Sequence, residues 1–226
     1  IDADAIRKLA HEFAAAPRAS CYSRVGTSTS AHSGAAAWLV YVINLVTGNV
    51  DREGGLMFAL PAMDMVGLSA LGGHRGGFDR YRSRVRNLPE FGGEFPLITL
   101  ADEMLTPGEG QVRALVTVAG NPVLSTPNGR KLEQALDGLE FMLSVDFYIN
   151  ETTRYADVIL PPPAPLEHDH YDATFNLLAV RNVTRFNQPV LPKPEGALHD
   201  WEIFIGLAKA YAARVGVELK PTMPPQ

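Results

Sequence analysis

The sequence has almost no cysteine: Cys21 stands alone in 226 residues. An internal disulfide is therefore impossible, and one thiol cannot build a zinc or iron–sulfur site by itself. Other metal ligands are not clustered either. His168, Asp169 and His170 come nearest, but they lie on a proline-flanked loop with no fourth partner in view. They read as a solvated polar loop or a domain contact. No apolar run is long enough to cross a membrane, and no signal peptide opens the chain. No membrane contact and a cytoplasmic setting are expected, and the lack of disulfides fits that setting. Excess basic charge is also missing. Twenty Lys and Arg face twenty-five Asp and Glu, a formal net charge of −5. That argues against nucleic acid as a partner, because phosphate-tracking proteins usually carry a basic face. No Gly-x-Gly-x-x-Gly follows the apolar runs, which disfavours an ordinary dinucleotide module.

What is present is an ordinary globular composition, 46% hydrophobic and 20% charged, in a chain long enough to bury a core. Three short apolar runs carry the clearest pattern: Val116–Ala119, Phe141–Val145 and Val158–Leu160. The first ends at Gly120-Asn121-Pro122, the second at Asp146 and the third at Pro161. Apolar runs that stop at a small or polar residue are how an α/β nucleotide-binding sheet is written, with ligand groups at the carboxyl ends of its strands. Strands are expected over 19–25, 112–119, 139–145 and 156–160. Helices are expected over 4–16, 35–46, 97–105 and 128–136, with a last one beginning at His199 or Asp200. Residues 35–46 are apolar almost all round and predict a buried helix. In the last helix Trp201, Phe204, Ile205, Leu207 and Ala208 supply the packing face.

The expected fold class is therefore α/β, a Rossmann-like mostly parallel sheet with flanking helices, forming one cofactor-binding domain over residues 1–226. Residues 56–95 show no period and read as a long irregular insertion rich in glycine and arginine. Arg75, Arg80, Arg82, Arg84 and Arg86 make it the most basic stretch, either a solvated loop or an anion-facing or interdomain surface. Residues 161–198 read as an extended, proline-containing segment. The chain opens at Ile1 almost directly in a helical pattern and closes on Pro221, Pro224 and Pro225. Both ends are expected to be cuts through a longer polypeptide, with a processed N-terminus as the alternative.

The order and spacing of these signatures resemble the central region of the molybdopterin guanine dinucleotide oxidoreductases, the dimethyl sulfoxide reductase superfamily. Gly120-Asn121-Pro122, Asp146, Glu151-Thr152 and Ala156-Asp157-Val158-Ile159-Leu160-Pro161 fill the family's most specific stretch. Val46-Thr47-Gly48-Asn49-Val50 with Gly54-Gly55 matches a second signature, and Gly26 to Gly34, with His32 inside, matches the loop that approaches the pterin in the family. The pattern departs after Glu167, where many members continue with Gly and Asn-x-Glu-Gly-Arg. Here His168-Asp169-His170-Tyr171 follows, which leaves the substrate unassigned.

The resemblance implies a fragment of a molybdenum or tungsten enzyme, formate dehydrogenase- or nitrate reductase-like, that binds the extended part of one molybdopterin guanine dinucleotide. It implies remaining domains of the same polypeptide as partners, an electron-transfer subunit, and an iron–sulfur cluster in an N-terminal part beyond this region. It places no catalytic residue and no metal ligand in this chain. The alternative is a non-catalytic structural subunit or domain of a respiratory complex that keeps the fold with no cofactor bound.

Within that frame Asp146 is the expected guanine reader, since a carboxylate accepts the paired N1–H and N2–H donors. The other reading of Asp146 is a strand-end cap for the following turn. Gly120, Asn121 and Pro122 would pass close to the pyrophosphate, ahead of a helix N-terminus near Asn128. Thr152 would bond ribose or phosphate. Arg154 would pair with phosphate or lie exposed. Gly26, Thr27, Ser28 and His32 would face the pterin. Asp157 and Cys21 are read as structural, the first as a loop tie and the second as a small buried hydrophobe.

Overall fold

The computed structural model describes residues 1–73 and 76–218. Arg75 and the prolines at 221, 224 and 225 lie outside the described residues. The chain divides into two compact units, Ile1–Met65 with Asp172–Thr184, and Val66–Tyr171 with Arg185–Gln226.

The first unit holds α1 (Ala3–Ala15), α2 (Val25–Ser28) and α3 (Ser33–Val46). The strand expected over 19–25 does not form. Residues 16–24 carry no strand, and a single helical turn begins at Val25. The reason is visible at Cys21. Its N–H donates to Asn44 Oδ1 at 2.8 Å and its carbonyl accepts from Asn44 Nδ2 at 2.9 Å. The groups a ladder would use are taken by a side chain of α3, which also donates to the Val40 carbonyl. Helix α3 forms as expected but is not buried. Of its residues only Asn44 is buried, while Trp38, Leu39, Tyr41, Leu45 and Val46 are exposed. After α3, Asn49 is also buried and its N–H donates to the Asn44 carbonyl.

The second unit begins in α4 (Met65–Leu71), which opens at the last residue of the first. It carries β1 (Phe78–Arg82), β2 (Pro89–Phe91), α5 (Leu100–Leu105), β3 (Ala114–Val118), α6 (Pro122–Ser125), α7 (Gly129–Asp137) and β4 (Phe141–Val145). β5 (Val158–Ile159), β6 (His170–Tyr171), β7 (Phe186–Asn187) and α8 (Asp200–Val215) follow. A parallel sheet runs β3-β4-β5, pairing Ala114 with Phe141 through Val118 with Val145. Strand β4 is central and its alternate residues serve two layers. Met142, fully buried, meets Leu132, Ala135 and Leu136 of α7 and Ala101 and Met104 of α5. Leu143 and Val145 meet Ile203 and Leu207 of α8. Helices on both faces of a parallel sheet are the α/β arrangement the three apolar runs predict.

Helix α7 shows why the sequence folds this way locally. Asn128 takes a left-handed conformation at φ 61° and its side chain accepts the Lys131 N–H. Leu132, Ala135 and Leu136 then fall on one face at helical spacing. A Cβ at Gly129 would stand 2.2 Å from the Val123 carbonyl oxygen, so no other residue fits there. The short α6, not expected from the sequence, starts with Pro122 at its first position, where a missing N–H costs nothing. Of the α8 residues expected to pack, Trp201, Phe204, Ile205, Leu207 and Ala208, only Leu207 lies in the core, beside Ile203. The buried residues are Ile203 and Ala212, and Trp201 is 59% exposed.

Residues 56–95 are more ordered than their composition predicts. β1 and β2 form an antiparallel hairpin around Glu90, whose side chain is fully buried. It accepts from the Arg80 N–H at 2.9 Å, Arg80 Nε at 2.8 Å and Nη2 at 2.6 Å, and the Gly93 N–H at 3.2 Å. The described arginines of this stretch are held in ion pairs and hydrogen bonds. Arg84 is held by Glu103 and the Thr106 carbonyl, Arg82 by Asp79, and Arg86 shares Asp102 with Lys131 of α7. All five residues of β1 are exposed, so no alternation of apolar and polar residues marks the strand. Carboxylates rather than apolar burial hold it. Residues 161–198 are largely irregular but include the two-residue antiparallel pairing of β6 with β7.

Candidate functional site at the strand ends

The carboxyl ends of β3 and β4 are joined by one hydrogen-bond network. After β3 the chain turns through Ala119 at φ 52° and Gly120 at φ 74°, two successive left-handed residues. Such a conformation costs a non-glycine residue of order 1 kcal/mol and clusters at functional turns. Ala119 keeps one sheet bond, its N–H to the Val145 carbonyl at 2.9 Å. Nothing lies within 4 Å of the space a Cβ on Gly120 would fill, so the loop is open above it and glycine serves the backbone angle.

Asn121 follows, and both ends of its side-chain amide are gripped. Oδ1 accepts from Thr152 Oγ1 at 2.7 Å, and Nδ2 donates to Glu151 Oε2 at 2.6 Å. A flipped amide would set oxygen against carboxylate, so the orientation is fixed by its partners. Thr152 is fully buried, and its hydroxyl also accepts the Val123 N–H at 3.1 Å. The structure therefore places Thr152 beneath the loop as a support for Asn121 and Val123, not on the surface a ligand would touch. Pro122 opens α6 and is half-buried.

After β4, Asp146 is 8% exposed. Its Oδ1 accepts the Tyr148 N–H at 3.0 Å, the turn-capping bond, and Asn150 Nδ2 lies 3.5 Å from Oδ2. A carboxylate offers about four acceptor positions, so a paired donor still has room there. Asn150, not among the residues expected at the site, organises this turn. Its Oδ1 accepts the N–H groups of Thr152 and Thr153, each at 2.9 Å. An asparagine ahead of Glu-Thr-Thr is the signal that marks such a turn. Asp146, Asn150, Thr152, Asn121 and Glu151 thus form one connected set.

The electrostatics of the set are acidic. The Asn121 amide, followed by the Glu151 N–H, holds the Glu151 carboxyl below the usual carboxylate range against the opposing effect of burial, and the nearby Arg154 charge adds to it. Arg154 itself pairs with Glu133, and its guanidinium lies 5.1 Å from the centre of the Tyr155 ring. Asp157 accepts the Met142 N–H at 2.7 Å, which ties β5 to the start of β4 as expected of a structural residue.

The candidates for the pterin side lie in the first unit. Gly26, Thr27 and Ser28 form the single turn α2, all exposed, rather than a loop at a strand end. Thr27 Oγ1 donates to the Arg24 carbonyl at 2.8 Å. His32 caps the start of α3 by position and is exposed, with no side-chain cap bond. Cys21 is half-buried and lines an apolar groove with Leu39, Val40, Ile43 and Val46, in keeping with a hydrophobic role. His168 Nδ1 donates to the Asp169 carbonyl at 2.7 Å. Among the described residues no three His, Cys, Asp or Glu are grouped to hold a metal ion.

Comparison with known proteins decides the family. Residues 22–210 match the family described as Molybdopterin oxidoreductase. The chain belongs to that family. It is 28% identical over 222 residues to a formate dehydrogenase subunit alpha from Methanocaldococcus jannaschii, covering 92% of this chain and 31% of that protein. It is 34% identical over 102 residues to the assimilatory nitrate reductase catalytic subunit of Bacillus subtilis, 45% of this chain and 14% of that protein. In structure it is similar to acetylene hydratase from Pelobacter acetylenicus, with TM-score 0.66 and 18% identity, covering 96% of this chain and 33% of that one. That likeness concerns the fold. The chain spans about a third or less of the length of these relatives.

Proposed function

We propose that this chain is the molybdopterin guanine dinucleotide-binding part of a molybdenum- or tungsten-dependent oxidoreductase of the formate dehydrogenase or nitrate reductase kind. The observation that carries the reading is the acceptor at the end of the central strand. Asp146 combines a carboxylate, a strand-end position and a network that fixes it to the neighbouring loop. The residues fit the guanosine diphosphate end of the cofactor. Asp146 accepts N1–H and N2–H of guanine as a charge-assisted pair. The backbone N–H groups of Gly120 and Asn121, at the turn of two successive left-handed residues, are the donors for the diphosphate. Thr152 acts from below, by holding Asn121 in place. Gly26, Thr27, Ser28 and His32 serve the pterin side.

When bound, the metal–pterin group supplies two-electron redox chemistry, and the chain's own task is to hold and orient it. The electron-transfer subunit, the iron–sulfur cluster and the remaining domains belong to the parent enzyme in this reading. Calorimetric titration tests it. The chain is expected to bind GDP in preference to ADP, and Asp146→Ala to weaken GDP at least about tenfold, the scale of a lost charge-assisted pair. A folded chain that binds neither nucleotide favours the alternative, a structural subunit that keeps the fold with no cofactor.

A further inference from the structure

The Asn121 side chain has a consequence for which part of the nucleotide its neighbour receives. A diphosphate asks for donors, yet one of the two Asn121 amide N–H groups is given to the Glu151 carboxylate at 2.6 Å, which sets that charge beside the loop. A carboxylate beside the loop repels phosphate and attracts hydroxyl donors. Glu151 is exposed, and the bond its carboxylate accepts from Asn121 leaves acceptor capacity for more. Asn121 fixes where that carboxylate stands, and Thr152, fully buried, fixes Asn121.

We propose that Glu151 receives the 2′- and 3′-hydroxyls of the guanosine ribose, and that it makes the site selective for a nucleoside with an intact diol. This rests on the guanine reading of Asp146. The nucleotide carries donors on its base and on its sugar and acceptors on its phosphates. The site offers carboxylates at Asp146 and Glu151 and backbone N–H donors at Gly120 and Asn121. The three parts match in kind: guanine with Asp146, ribose with Glu151, diphosphate with the left-handed turn. Asn150 and Thr152 join the two carboxylates through the polypeptide, so the base and sugar positions are built by one turn, residues 146–152.

The experiment is calorimetric titration of the full chain with GDP, 2′,3′-dideoxy-GDP, ADP and inorganic pyrophosphate, beside Glu151→Gln. Glu151 is exposed and Gln has its shape, so the variant keeps the fold. Dideoxy-GDP is expected to bind at least about tenfold more weakly than GDP. In Glu151→Gln the ratio of the two should shrink towards one, while pyrophosphate binds more tightly because the repelling charge is gone. A purely structural role for Glu151 would weaken all nucleotides together and leave the ratio unchanged, which overturns the proposal. Equal binding of GDP and its dideoxy form, with guanine still preferred over adenine, overturns the diol assignment alone. Loss of guanine preference with the diol ratio intact overturns the Asp146 reading and leaves Glu151 as a ribose site. No binding by the folded chain overturns both.

Discussion

The two units are held together by different means. Every buried apolar side chain among the described residues belongs to the second unit, around Met142 on one face of β4 and Leu143 and Val145 on the other. In the first unit the buried side chains are Asn44 and Asn49. There the pinning is polar, through the clamp on Cys21, while α3 leaves Trp38, Tyr41 and Leu45 more than half exposed. A unit without an apolar core draws little from burial, which is the main favourable term in folding. The second unit therefore has the means to fold by itself. The first leaves its apolar helix face exposed.

Truncating the core should separate the units most. Met142→Ala is expected to cost about 2–5 kcal/mol in denaturant unfolding, whereas Leu45→Ala should stay within roughly 0.5 kcal/mol. Comparable losses at both positions would erase the distinction. Next comes the clamp. Asn44→Ala strands the N–H and C=O of Cys21 and is expected to cost about 1–3 kcal/mol, the largest single-site loss within the first unit. Melting of α1 and α3, followed by amide exchange, reads it.

The smallest effect is electrostatic and confined to the second unit. The Lys131 ammonium, and then Arg86, hold the Asp102 carboxyl below its ordinary range against the opposing effect of burial. A depressed folded value means the unfolded chain binds the proton more readily. The stabilisation is therefore complete above the ordinary carboxylate range, near pH 4, and is lost as pH falls through the lower folded value. Asp102→Asn should flatten that part of the acid-unfolding curve. An unchanged curve would show that the Asp102 bridge contributes nothing to acid stability.

Much of the second unit was legible because its signals are local. Val116–Ala119, Phe141–Val145 and the helix after Pro127 are short periodic segments with stops at both ends, and they appear within two or three residues of their expected bounds. The hairpin at 78–91 was hidden because buried Glu90 and its arginine partner do the work an apolar stripe usually advertises. The absent strand at 19–25 was hidden for a related reason. Asn44, twenty-three residues away, takes the backbone groups a ladder would need, and no window of sequence shows that pairing. At the site, Asp146 and the Gly120–Asn121 turn could be read from their places after strands. The inward-facing hydroxyl of Thr152 could not, since threonine in a turn is equally at home above or below it.

One feature of the small sheet reaches beyond the site. Among the described residues β3 pairs with β4 on one side only, so its other flank offers a row of N–H and C=O groups. Its five residues, Ala-Leu-Val-Thr-Val, include no proline and no charge, and Val116 and Val118 are each more than half exposed. Natural edges are usually blunted by lysine, proline or a bulge, because a flat apolar edge templates the addition of further strands. This one has no such guard. Handled in isolation at high concentration, the chain is a candidate for self-association along β3, and a lysine at Val116 is the change that would keep it dispersed.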